Sequence, residues 1–483
     1  YLSVFHSLFC LLFYNNSKRR LKNREGAIKM LFSYDKTLGT VETSQGTMTL
    51  TKVFIPFFLE MFLMNFMQTV NTFMLSYFSD NAVAAVGAAG QFSSMIYTFY
   101  SVIGTGVSIV LCHHLGAGKK EQTSEAVFSA LVFGAALSAV ISILMSIFAR
   151  PCMTLLNIKG EVLDDAAKYF SICMQFSFLP ALFVIISSIF KSYGFPQISV
   201  GISLGMNILN AALNYLVIFQ PFPFFLKGVS GIAWCSNISR GVALICIIIC
   251  LFHLPLQLDF QKMRPKSLLK IKEILRVGLP GGISSLSYNV SQTVTTSVIA
   301  LVGVSAISTK IYVSNLVFYV YVLGLSLGMS TSLLIGWLCG AKKYDQAYRL
   351  NLQNLKVTIL LNATLSILLF LFGRPLLSLF TKDPDILKVG CALLFWDIFV
   401  EIFRGFNHIE ENSLRGAGDV VFPMIVSICS CWAMSVLFSY ILGVKLGLGL
   451  TGCWIAFAMD EAFRGINYFF RWRSKKWMKK TVV

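Results

Sequence analysis

Apolar runs of about 20 residues or more recur along nearly the whole of this chain. Each is long enough to cross the hydrocarbon core of a bilayer as a helix. Over 483 residues only 13% are charged and 56% are hydrophobic, about half the charge share of a soluble protein. The sequence therefore reads as a polytopic membrane protein with little room for a soluble domain.

The distribution of the basic residues sets the expected orientation. Lys18, Arg19, Arg20, Lys22 and Arg24 precede the first span, and Lys119 with Lys120, Lys262 to Arg276, Lys342 with Lys343, and Arg471 to Lys480 follow later ones. All fall on one side of the membrane if the intervening spans come in pairs. By the positive-inside rule both termini are then cytoplasmic in a multi-pass plasma-membrane protein. This clustering also turns the formal net charge of +18 into topology and away from nucleic acid. The 12 cysteines are scattered through apolar runs without zinc or redox spacing and read as small apolar residues.

An internal repeat organises the chain. Pro56 and Pro280 stand 224 residues apart (280 − 56), and that offset also links Gln68-Thr69-Val70 to Gln292-Thr293-Val294, Gly104 to Gly328, Gly116-Ala117 to Gly340-Ala341, Arg150-Pro151 to Arg374-Pro375, and Lys191 to Arg415. Gly228 and Gly231 meet Gly449 and Gly452 at 221. Six estimated spans, 51–78, 83–113, 121–149, 163–192, 197–219 and 229–253, are thus followed by six more, 270–301, 306–338, 346–372, 387–413, 420–443 and 450–472. The expected fold is all-α, with twelve transmembrane helices in two six-helix halves related as parallel repeats around a central cavity. The organisation expected is 1–47 an N-terminal cytoplasmic segment, 48–254 the first lobe, 255–269 a cytoplasmic linker, 270–473 the second lobe and 474–483 a basic cytoplasmic tail. Residues 1–14 are apolar but too short to span, and read as upstream sequence before a start near Met30 or Met48, or as an interfacial helix.

One stretch breaks the apolar rule. Asp397, Glu401, Arg404, His408 and Glu411 recur at steps of four, three, four and three, within roughly an 80° arc of a helix. Charges at bilayer depth cost a few kcal/mol or more, so this face must turn to protein or to water, and by default marks an ion or substrate pathway. The plainer alternative is a structural ion pair of Arg404 with one acid, with His408 and Glu411 at headgroup level. Glu60, Met64, Met67 and Asn71 form a second stripe in the first span. There Glu60 is either a proton- or cation-exchanging group or a protonated acid bonded to a neighbouring helix. Asn207, Asn210 and Asn214 form a polar face in the fifth span, suited to ligand contact or to helix association. Tyr288, Asn289 and Gln292 supply neutral polar groups in the seventh span, and Asp460 and Arg464 read as an intrahelical pair in the twelfth.

The paired GAGKKEQ and GAKKYDQ loops, Pro56 and Pro280, and EIFRGFNHIEENSLRGAGDVVFP together resemble the multidrug and toxic compound extrusion (MATE) family, over about residues 50 to 475. The resemblance implies two six-helix bundles in a V and export of amphipathic, often cationic compounds in exchange for Na⁺ or H⁺. Asn210 and Asn214 match the family's polar pair in the fifth span. Two positions depart from it: Asn71 stands before Thr72 where many members have Asp, and Ser284 or Tyr288 stands where relatives have Glu. Coupling is therefore expected at Glu60, Asp397 and Glu401. The substrate cavity is expected to involve Asn71, Met64, Met67, Gln68, Asn210, Asn214, Tyr288, Gln292, Arg404, Asn407 and His408.

The expected function is a secondary active antiporter, acting as a monomer on a small-molecule substrate among membrane lipids, with H⁺ or Na⁺ as coupling ion and no cofactor. No Walker loop, nucleophile elbow or zinc motif suggests an enzyme. The alternatives are a lipid-linked oligosaccharide flippase of related architecture and a non-transporting membrane receptor.

Overall fold

A computed structural model describes residues 40–43, 46–76, 80–154, 160–220, 226, 228–253, 270–480 and 482. The expectations for residues 1–14, the first basic run and the linker at 255–269 lie outside the described residues. The described chain opens with a hairpin of β1 (Thr40–Thr43) and β2 (Gly46–Thr49), paired antiparallel with Val41 opposite Met48. The expected division at residue 47 falls within this hairpin.

Helices make up nearly all the rest. The first half holds α1 (Leu50–Ser76), α2 (Asp80–Gly116), α3 (Lys120–Ile147), α4 (Ala149–Thr154), α5 (Glu161–Gln175), α6 (Phe178–Ser192), α7 (Pro196–Phe219) and α8 (Gly228–His253). The second holds α9 (Lys270–Val302), α10 (Val304–Gly340), α11 (Tyr344–Leu371), α12 (Gly373–Leu377), α13 (Pro384–Gly416), α14 (Val421–Ser430) and α15 (Gly449–Arg473). After α14 the chain continues as π-helix over Cys431–Leu437 and Ser439–Lys445. The bounds of α2 and α10, and of α3 and α11, differ by 224 at both ends (304 − 80, 340 − 116; 344 − 120, 371 − 147). The repeat in the residues is thus a repeat in the helices.

Eight of the described helical segments are long and apolar enough to cross a bilayer, and the bent pair of α5 and α6 makes a ninth. The remaining three of the twelve expected spans, α9, α13 and α15, are 33, 33 and 25 residues long, but charged residues in α13 and α15 and the many Ser, Thr, Asn and Gln of α9 keep them from a purely apolar reading. Their polar groups are hidden by packing instead: α13 lies against α10, α11 and α15, burying Asp397, Glu401, Asp460, Glu461 and Arg464. A helix with charge on an inward face satisfies the bilayer as long as neighbouring helices cover it.

The two halves differ at the fourth span. α5 and α6 meet at a 47° bend. Pro180 explains it, because proline lacks an N–H and its ring crowds the carbonyl four residues back, here Phe176. That carbonyl accepts from Leu179 N at 3.0 Å instead, and Ser177 Oγ lies 3.0 Å from the Tyr100 hydroxyl and 2.8 Å from Ser142 Oγ. The equivalent α13 runs unbroken from Asp383, whose side chain caps the N–H groups of Asp385 and Ile386, to Gly416.

Near Lys119, Lys120, Lys342 and Lys343 the halves meet in a reciprocal seam. The His113 ring Nε2 lies 2.8 Å from Gly416 O, and Trp337 Nε1 donates to Ser192 O at 2.9 Å. These are equivalent bonds, since His113 and Trp337, and Ser192 and Gly416, are each 224 apart. Gly116 and Gly340 permit the approach: a Cβ at Gly116 would strike the Trp337 carbonyl, and one at Gly340 the His113 carbonyl. His114 adds a 3.3 Å contact to Glu273, which Lys270 also holds at 2.8 Å. A cleft of about 210 Å³ at this end is lined by the hairpin and by Gly116, Lys120, Tyr193, Trp337 and Lys343, and includes none of the expected site residues. The basic tail is docked, with Trp477 stacked 4.1 Å from Trp472.

Candidate functional site

On α13 the spacing of three and four places Asp397, Glu401 and Arg404 along one face, and α15 brings Asp460, Glu461 and Arg464 against it. Arg404 pairs with Glu401 one turn away and, through Nε, with Glu461 Oε1 at 3.1 Å. Glu461 Oε1 also lies 3.1 Å from Arg464, whose Nη2 reaches Asp460 Oδ2 at 2.7 Å. Asn407 donates to the other Glu461 oxygen at 2.7 Å, and Ser430 donates to Asp460 Oδ1 at 2.6 Å. Trp454 donates its indole N–H to Asp397 Oδ1 at 3.1 Å. Two aromatic rings complete the shell, Tyr321 5.7 Å from Arg404 and Tyr288 5.6 Å from Arg464.

Charge arithmetic separates this cluster from a set of structural ion pairs. Four carboxylates, Asp397, Glu401, Asp460 and Glu461, face two guanidiniums, Arg404 and Arg464. Even an ionised His408 would leave the acids in excess. Glu401 is fully buried, and its Oε2 has no hydrogen-bond partner. A buried anion without compensation costs several kcal/mol, so the excess must be met by protons or by a cation.

The expected stripe is therefore real in its first three members and divides after them. Glu411 pairs with Arg415 at 2.5 Å within α13, and the His408 ring packs edge-on against Tyr321 at 5.3 Å. The acids do not line an open chamber as expected. Glu401 and Asp397 are sealed behind Arg404 and Trp454, and Arg404, its side chain 17% exposed, is the member that meets open space. Asn407 is buried and orients Glu461 where a cavity-lining role was expected. Glu461, next to Asp460 in the sequence, proves to be the link between both guanidiniums.

In the first half Glu60 is not a lone acid. Lys191 of α6 pairs with it at 2.8 Å and stands 4.9 Å from the Phe57 ring, so this carboxylate already has its cation. Asn71, Asn210 and Asn214 do come together: Asn71 Nδ2 donates to Asn210 Oδ1 at 3.1 Å, and Asn214 donates to Asn71 Oδ1 at 3.2 Å. Asn210 passes the network on to Ser236 of α8 at 3.3 Å. Met64 is 55% exposed although it shares a helix face with Glu60 and Asn71, whereas Met67 is buried. Tyr288 and Gln292 are half-buried on α9. The side chain of Gln68 lies outside the described residues. Sequence reasoning passed over Arg240 on α8, whose Nη1 donates to the Tyr97 hydroxyl at 2.6 Å. The 221-residue offset would have found it, because it sets Arg240 opposite Glu461.

Comparison with known proteins agrees with this architecture. The MatE family model matches residues 56–216 and again 280–441, one match in each half. The chain is similar to the Uncharacterized transporter YisQ of Bacillus subtilis, at 34% identity over 93% of this chain and 99% of that protein. It is also similar to the Probable multidrug resistance protein NorM of Thermotoga maritima, at 26% identity over 86% of this chain and 89% of that one. Among solved structures, a MATE protein in complex with MaL6 superposes with a TM-score of 0.83 at 20% identity, covering 94% of this chain and 99% of the other.

Proposed function

We propose, starting from the fact that this chain belongs to the MatE family of transporters, that it exports amphipathic small molecules across the plasma membrane in exchange for H⁺ or Na⁺. The observation that carries this reading is the excess of two carboxylates over guanidiniums in the α13–α15 cluster, with one Glu401 oxygen unpartnered. A proton or cation taken up there reduces the excess from two to one, loosens the hold of Glu401 on Arg404 and frees the guanidinium at the open face. Substrate and coupling ion then lower each other's affinity, which linkage requires of an antiporter. The placement of basic residues supports cytoplasmic termini. Amphipathic molecules that carry a cation are the substrate class in view, since the acids outnumber the guanidiniums within the α13–α15 cluster.

The test is efflux of a fluorescent cation from proteoliposomes with Na⁺ and pH gradients imposed separately. Glu401→Gln and Asp397→Asn are expected to abolish gradient-driven efflux while the purified variants remain folded. Glu60→Gln, whose acid is already neutralised by Lys191, is expected to retain it. Undiminished efflux in both cluster variants would overturn the assignment of coupling to this site.

A further inference from the structure

The first half contains a half-buried guanidinium that no carboxylate among the described residues answers. Arg240 donates one N–H to the Tyr97 hydroxyl and stands 4.8 Å from that ring, with Tyr169 and Cys173 beside it. A guanidinium carries five N–H donors, and a phenol is a neutral partner. Among the described residues, no carboxylate forms an ion pair with Arg240. One turn before it on α8, Ser236 accepts from Asn210, so the surrounding network is neutral as well.

The comparison between halves sharpens the point. Arg240 and Glu461 are 221 apart (461 − 240), the offset that relates Gly228 to Gly449. In the second half that position is an acid holding two guanidiniums; in the first it is a guanidinium with no acid paired to it among the described residues. A half-buried cation without a counter-charge keeps N–H donors free for an anion, and a ligand that brings one completes the pair. The planar fork of arginine is matched to oxyanions, which accept two of its N–H groups at once.

We propose that Arg240, with Tyr97 and the Ser236–Asn210 pair, is a recognition site for an oxyanion carried by the transported molecule, so that the preferred substrates are zwitterions, which bear an anion beside the cation. The proposal deepens the export reading and rests on it for the word transported. Arg240 then reads the anionic end of the amphiphile, while the acid-rich α13–α15 cluster sets the charge balance of the other half.

The test uses two dyes that differ by one charge, tetramethylrhodamine free acid and its methyl ester, with the full-length protein in nanodiscs. Fluorescence polarisation is expected to show the acid binding about ten- to a hundredfold more tightly than the ester, the worth of a charge-assisted hydrogen bond. Arg240→Gln should erase that preference without weakening the ester, and Arg240→Lys, which keeps the charge, should retain part of it. Equal binding of acid and ester to the parent protein, or a preference that survives in Arg240→Gln, overturns the proposal. A preference seen only when phosphatidylglycerol is omitted from the disc identifies a lipid phosphate as the occupant and also overturns it. Gradient-driven efflux of the ester without any acid preference would sink this proposal and leave the export reading standing. An acid preference with no efflux of either dye would do the reverse.

Discussion

Glu461 joins two arginines that its sequence neighbours could not have revealed together, since Arg464 is one turn away on α15 but Arg404 lies 57 residues earlier on α13. Replacing it by Gln keeps the shape and removes the charge, leaving Arg404 dependent on Glu401 and Arg464 on Asp460. Breaking a buried pair costs about 3–5 kcal/mol. Glu461→Gln is accordingly expected to lower the thermal midpoint in detergent by several degrees, measurable by scanning fluorimetry, and to cost more than Glu60→Gln at the partly exposed Lys191 pair. At this scale the sequence disclosed which residues share a face, because helical spacing is local. It could not disclose which helix answers them. That is why Glu60 read as solitary although Lys191 was visible as a repeat of Arg415, and why Arg240 went unremarked.

Among elements, length and apolarity identified most of the spans, and the repeat located the others. α9, α13 and α15 are too polar to be recognised by composition; α13 and α15 are tolerated because neighbouring helices shield their charged faces, a property that no window along the chain contains. The π-helical winding after α14 was likewise illegible in the residues. Gly452 of α15 comes so close to this segment that an added Cβ would lie 2.7 Å from the Leu442 carbonyl carbon and oxygen and 2.8 Å from Gly443 N, all backbone. Backbone cannot rotate aside as a side chain can. Gly452→Val is therefore expected to destabilise by about 1–3 kcal/mol, the usual cost of overpacking, read as a lower melting temperature and faster proteolysis.

For the molecule as a whole, the offset of 224 residues predicted two similar halves, and it also proves to govern how they touch. The bonds from His113 to Gly416 and from Trp337 to Ser192 close one end symmetrically, so opening that end must break both. Gly340→Val would force the Val side chain against the His113 backbone and hold the seam apart. Cys112 and Cys339, 1% and 2% exposed beside it, are native reporters. Their alkylation, followed by mass spectrometry, is expected to rise severalfold in Gly340→Val; unchanged protection would show that the seam does not control access. The bent fourth span has a further consequence. Pro180 corresponds to Arg404 (404 − 180 = 224), so the same place in the architecture is a joint in one bundle and an electrode in the other. The break in the backbone and the proposed ion-coupling cluster thus stand in different bundles, so the 47° bend of the first leaves the helix that carries Glu401 and Arg404 straight.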